Sequence, residues 1–99
     1  MNISQIKLYQ HPVTDQSMTF IDGEKEEHFD ERYSGRLQNW FSEYIQELHD
    51  RINDDEIQLE FHGCQQDFED IKALLELREQ TTNYRYEIQG VTNDFTPMR

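Results

Sequence analysis

Between Tyr33 and Ile52 the large apolar residues Tyr33, Leu37, Trp40, Phe41, Tyr44, Ile45, Leu48 and Ile52 recur at i, i+3 and i+4 spacing. Projected at 100° per residue they cover an arc of about 140°, broad enough to face a core. A chain of 99 residues with such a stripe must supply something flat and apolar for it to cover. The spacing therefore predicts an amphipathic helix over 33–52 and a sheet beneath it. Gly35 lowers helix propensity in the first turn. Asn53-Asp54-Asp55 ends the pattern.

The sheet is legible in the flanking segments. Ile57, Leu59 and Phe61 alternate with Gln58, Glu60 and His62, and Tyr84, Tyr86 and Ile88 alternate with Arg85, Glu87 and Gln89. Both have the period of half-buried strands. Between them Phe68, Ile71, Leu74 and Leu75 form the inner stripe of a second helix, with Asp67 and Asp70 spaced like a capping arrangement. Upstream, Ile6–Tyr9 and Met18–Ile21 flank the polar loop containing Pro12 and read as a hairpin. The run 22–31 carries Asp22, Glu24, Glu26, Glu27, Asp30 and Glu31 against Lys25, and reads as an exposed connector or the lead-in to a helix. The order β-β-α-β-α-β implies a single α+β domain over 1–99, two-layered, with two helices on one face of a small mixed sheet. The other face is expected to be wet, lined by Gln58, Glu60, His62, Arg85, Glu87 and Gln89 without an apolar patch. Residues 91–99 read as a loose C-terminal tail. An ending in Phe95-Thr96-Pro97-Met98-Arg99, without a closing element, is what a piece of a longer chain would show.

Composition sets the limits on this reading. Asp and Glu number 21 against 9 Lys and Arg, a formal charge of -12, and the mean hydropathy is -1.00. Such values border on those of disordered chains. Folding is argued by 23 Leu, Ile, Val and Phe residues and by 12% aromatics, each aromatic able to bury on the order of 150–250 Å². The stability expected is modest and sensitive to charge repulsion. Apolar runs fall far short of the roughly 20 residues of a membrane helix, and the first ten residues lack the basic and apolar regions of a signal peptide. With a single cysteine, Cys64, no internal disulfide can form. A reducing, cytoplasmic setting is expected. Acidity opposes direct binding to nucleic acid or anionic membrane.

Motifs for chemistry are weak. His62-Gly63-Cys64 occupies a strand-to-helix turn, but Asp67, Glu69 and Asp70 already place three carboxylates at the positive end of the helix dipole, which excludes an anionic ligand. The same charges disfavour a thiolate at Cys64, so it reads as a packing residue rather than a nucleophile. His62 and Cys64 lack the second ligand pair of a zinc site. Asp22, Glu24 and Glu26 alternate as in a calcium loop, but the glycine falls second and the twelfth position is Tyr33. His11, His28 and His49 fall at expected surface or loop positions. No cofactor, metal site or catalytic residue is assigned. A metal-dependent small enzyme is the third-ranked reading.

The most informative feature is the order of charge along the long helix. Arg32 and Arg36 lie near its expected start and Glu43, Glu47, Asp50 and Asp54 toward its end, all within about 60° in projection. That order opposes the helix dipole, at about 0.3–1 kcal/mol per misplaced charge at low salt. Two readings account for it: general acidity that serves solubility, or a use of the stripe other than helix stability. The expected function is that of a non-enzymatic interaction domain that would meet a basic protein surface through Glu43, Glu47, Asp50, Asp54 and the adjacent Asp55. The alternative is an inhibitor that mimics nucleic acid in the groove of a DNA- or RNA-binding protein. From Glu43 to Asp54 there is one carboxylate per roughly 5 Å of helix, against one charge per roughly 1.7 Å of duplex. A mimic would have to recruit the 22–31 run or the 54–56 corner. Net charge works against association of like copies, and the oligomeric state is left open.

Overall fold

The computed structural model describes residues 4–91. Among them run the strands β1 (Ser4–Gln10), β2 (Ser17–Ile21), β3 (Glu24–Lys25), β4 (Glu56–His62) and β5 (Arg85–Val91), and the helices α1 (Glu27–Arg32), α2 (Leu37–Ile52) and α3 (Gln65–Thr81). The strands form one mixed sheet in the order β3-β2-β1-β4-β5. β1 pairs antiparallel with β2 and parallel with β4, and β5 lies parallel to β4 as the crossover through α3 requires. The α+β, two-layer architecture expected from the strand and helix order is therefore present, with a third, short helix and a fifth, two-residue strand added.

The core lies between the helices and one face of the sheet. Ile6, Leu8, Ile57, Leu59 and Phe61 project from β1 and β4, and Leu37, Trp40, Phe41, Tyr44, Ile45 and Leu48 descend from α2. Ile71 and Leu75 of α3 close the β4–β5 side. Across β1 and β2, Leu8 faces Thr19, whose hydroxyl lies 3.1 Å from the Tyr44 hydroxyl. Full burial holds the Tyr44 phenol well above its ordinary pKa.

Three local expectations are corrected. The long helix begins at Leu37, not Tyr33. Gly35 sits at φ 87° in the turn between α1 and α2, a conformation glycine reaches at little cost. Its carbonyl accepts bonds from the Trp40 indole at 3.1 Å and the Gln10 amide at 3.2 Å. The charge run 22–31 is also more than a connector. Asp22 and Gly23, with φ 50° and 87°, make the two-residue turn joining β2 to β3. Residues 27–32 then form α1, which buries Phe29 to 1% exposure against Tyr33 and Tyr44. Finally, α3 starts at Gln65 with Cys64 as its N-cap and no side-chain capping bond. Asp67 and Asp70 instead both accept from the Gln38 side-chain amide of α2, at 3.1 and 2.8 Å.

On the opposite face, cross-strand register aligns Gln5, Gln58 and Glu87 in one row, and Lys7, Glu60 and Gln89 in the next. Gln58 donates to Glu87 at 2.9 Å and Lys7 lies 3.8 Å from Glu60. Beyond them the face is not purely polar as expected. Tyr9 stacks on His62 with ring centroids 4.1 Å apart and meets Phe20 edge-on at 5.7 Å, with Met18 opposite Tyr9. The expected tail over 91–99 is shortened by Val91, which ends β5 opposite His62; its remainder, 92–99, lies outside the described residues.

Candidate partner-binding groove

The α2 stripe that buries Trp40, Tyr44 and Leu48 turns the opposite side of the helix outward. There Ser42, Glu43, Gln46, Glu47 and Asp50 line an open concavity of about 570 Å³, completed by Arg32 and Tyr33 from the end of α1 and by Arg78 of α3. Three of the five acids read from the sequence, Glu43, Glu47 and Asp50, thus share one groove.

Asp54 and Asp55 do not line it. They form the turn between α2 and β4, where Asn53 adopts the left-handed conformation (φ 53°). The Asp54 carboxylate accepts the Glu56 backbone N–H at 3.0 Å, and the Asp55 carbonyl accepts that of Arg85 at 2.9 Å. Asp55 remains exposed and Asp54 is half-buried. Both act first as turn residues.

Within the groove the charges are unequally engaged. Glu47 is the most committed. It accepts the Tyr33 hydroxyl at 2.8 Å and lies 3.4 Å from the Arg32 guanidinium and 3.6 Å from the His28 ring. Burial, and then the Glu47 hydrogen bond and charge, push the Tyr33 phenol up to about 12. Arg78 donates through Nε to the Tyr86 hydroxyl at 2.9 Å and through Nη2 to Gln46 Oε1 at 2.8 Å. Asp50 accepts from Gln46 Nε2 at 3.1 Å and has no cationic partner among the described residues. Glu43 is exposed, with neither an ion pair nor a hydrogen bond among the described residues. Both groove cations are therefore held by groups of the fold, and the charge left facing outward is that of Glu43 and Asp50. Seven positions apart, these two stand on the same side of the helix about 10 Å from each other.

The structure also revises the order of charge along the helix. Arg32 ends α1, where a cation is favourable to that helix, and does not belong to α2. The last turn of α2 carries His49 and Arg51, and Arg51 pairs with Glu26 at 2.7 Å while lying 5.4 Å from the centre of the Phe29 ring. What still opposes the dipole is Arg36 at the N-cap, an acid-free first turn, and Asp50 near the end.

Of the acids in the 22–31 run that a nucleic-acid mimic would add, Asp22, Glu26 and Asp30 are engaged by the fold, while Glu24, Glu27 and Glu31 are exposed. Asp22 Oδ1 accepts the Gln5 N–H at 2.9 Å, Glu26 pairs with Arg51, and Asp30 accepts the Thr19 N–H at 2.8 Å beside Lys25 at 3.7 Å. Burial raises the Asp30 carboxyl above the usual range. Among the described residues no three His, Cys, Asp or Glu side chains are gathered closely enough to hold a metal ion. No helix there is long and apolar enough to cross a membrane.

Sequence reasoning misplaces two histidines, of which His62, expected on the wet face of the sheet, is 4% exposed. His49, expected at the surface, is 4% exposed. Its Nδ1 lies 2.7 Å from the Asp54 carbonyl and its Nε2 2.7 Å from the Tyr86 hydroxyl, and its ring stacks on Tyr84 at 3.7 Å. The signal in the sequence is weak: His49 follows Ile45 by four positions and so falls about 40° beyond the edge of the apolar arc of α2. Comparison of the chain with protein-family models, with curated proteins and with solved structures gives no match.

Proposed function

We propose that this domain is a non-enzymatic, cytoplasmic interaction module that receives a basic protein surface along the outer side of α2. The observation that carries the reading is the division of charge in the groove. Arg32 and Arg78 are held by Glu47, Tyr86 and Gln46, while Glu43 and Asp50 point out with no cation of their own among the described residues. A partner presenting two Lys or Arg side chains about 10 Å apart, as two turns apart on a helix, would complement that pair. Glu47 contributes by holding Tyr33 and Arg32 in place, and Asp54 and Asp55 by extending the negative field past the end of the helix.

Contacts of this kind act through steering and specificity, and their strength falls with ionic strength. The test is affinity capture from the native host's lysate at low and high salt, with Glu43→Lys/Asp50→Lys as the control bait, followed by binding measured between purified partner and domain. The expected result is a partner retained at low salt, released at high salt, missing from the control, and carrying a basic patch that binds the purified domain directly. A partner held equally by the charge-reversed domain would remove the groove from the account. Competition between that partner's nucleic acid and the domain would favour the mimic instead.

A further inference from the structure

We infer that His49, Tyr86 and Arg78 form an acid-sensitive latch that fastens the start of β5 to the two long helices and loosens when His49 takes up a proton. This does not depend on the groove's binding a partner.

The hydrogen bonds fix the state of the ring. The Asp54 carbonyl can only accept, so His49 Nδ1 carries the hydrogen of that 2.7 Å bond. In the neutral ring Nε2 is then an acceptor, and the Tyr86 hydroxyl 2.7 Å away must donate to it. Arg78 Nε donates in turn to the Tyr86 oxygen at 2.9 Å. The chain thus runs in one direction, from Arg78 through Tyr86 and His49 to Asp54, and joins α3, β5, α2 and the turn after α2. Every donor in it meets an acceptor.

A proton on Nε2 reverses one link. The Tyr86 oxygen would then face two donors, and its own hydrogen would lose its acceptor. The added charge would sit in a nearly closed site, beside the Arg78 cation. Burial is the largest influence on His49 and lowers its pKa from the ordinary value, with Arg78 acting in the same direction. Opposing them are the Asp54 carbonyl and the Asp55 and Asp50 carboxylates. From β5 and its approach the ring meets Tyr84, stacked at 3.7 Å, and Tyr86; from α3, Glu79 accepts the Tyr86 backbone N–H at 3.2 Å. A lowered pKa in the folded state means that the unfolded or opened chain binds the proton more tightly. The latch is therefore fully closed above about pH 6.5 and loses strength as pH falls below it.

Loosening should be confined to the entry of β5, because the distal half has separate anchors. Ile88 packs on the core, and a Cβ at Gly90 would come within 2.9 Å of the Phe68 ring, so the strand there lies directly on α3.

The test is hydrogen exchange of the full chain at pH 7.5, 6.5 and 5.5, together with the titration of the His49 ring by NMR. After correction for intrinsic chemistry, exchange of the residue 84–87 amides should accelerate by up to about tenfold per pH unit below 6.5, the limit for one linked proton, while Ile88 and, on α2, Ile45 and Leu48 stay protected. His49→Gln should abolish the acceleration. Arg78→Gln, which removes the neighbouring cation, should move the His49 midpoint upward, and it serves if His49→Gln fails to fold. The latch is overturned if His49 titrates at its ordinary value, if the exchange of 84–87 does not follow its titration, or if His49→Gln keeps the acceleration.

Discussion

At the scale of single residues, the fold depends on a few side chains that make unlike contacts at once. Phe29 is the clearest. It is an aromatic in a run of acids, and its ring is buried among Tyr33, Tyr44 and the Arg51 guanidinium, so it pins α1 to the core. Phe29→Ala should lower stability by about 3–5 kcal/mol, the range for an aromatic removed from a packed site. That is a large part of the roughly 5–15 kcal/mol available to a domain of this size, and urea unfolding at pH 7.5 would register it. Tyr33→Phe removes only the bond to Glu47 and should cost about 1 kcal/mol in the same assay. Neither role is readable from the sequence, because periodicity weighs apolar residues by their neighbours and Phe29 has none within its run. His49 escapes for a different reason: it carries a polar side chain about 40° past the edge of the apolar stripe.

Among the elements, α2, β4 and β5 are legible because each repeats its pattern over two or more periods. Their apolar faces, once buried, leave no freedom of register. The start of α2 is not, since Tyr33 falls in phase with the helix but belongs to the turn made by Gly35, whose positive φ breaks the helix. The β2–β3 turn is announced by Asp22-Gly23, a strong hairpin signal, but β3 is too short to alternate. For the candidate site, helix phase is enough to bring Glu43, Glu47 and Asp50 together. It cannot say which acids the fold itself consumes, since the partners of Glu47 come from α1 and the residue that caps it. This separation yields a prediction for α2 alone. Glu43→Lys/Asp50→Lys relieves repulsion, and the second of its lysines falls near a helix end that favours cations, so stability should hold or rise by up to about 1 kcal/mol. Thermal unfolding of the purified variant would show a loss of that size if the two acids were part of the fold.

The whole molecule folds against its own charge. A formal charge of -12 on a small core means that screening should help: raising NaCl from about 20 to about 300 mM should lift the Tm, by about 4–8 °C for each kcal/mol of repulsion removed. The pH profile combines opposite trends. His49 withdraws stability as pH falls below about 6.5, whereas Asp30, whose raised pKa makes the folded state the better proton acceptor, adds stability as pH falls further. A scanning calorimetry series from pH 7.5 downward should therefore lose stability as pH falls below about 6.5, and His49→Gln should remove that loss.

The central claim, that the outer side of α2 receives basic groups, is tested most directly by NMR titration of the 15N-labelled domain with a helical peptide carrying two arginines seven residues apart. Amide shifts concentrated at Ser42, Glu43, Gln46 and Asp50, reduced by salt, weaker for a peptide with adjacent arginines and absent from Glu43→Lys/Asp50→Lys, are what the account predicts. Shifts centred on another surface, or equal for both peptides and for the charge-reversed domain, would contradict it.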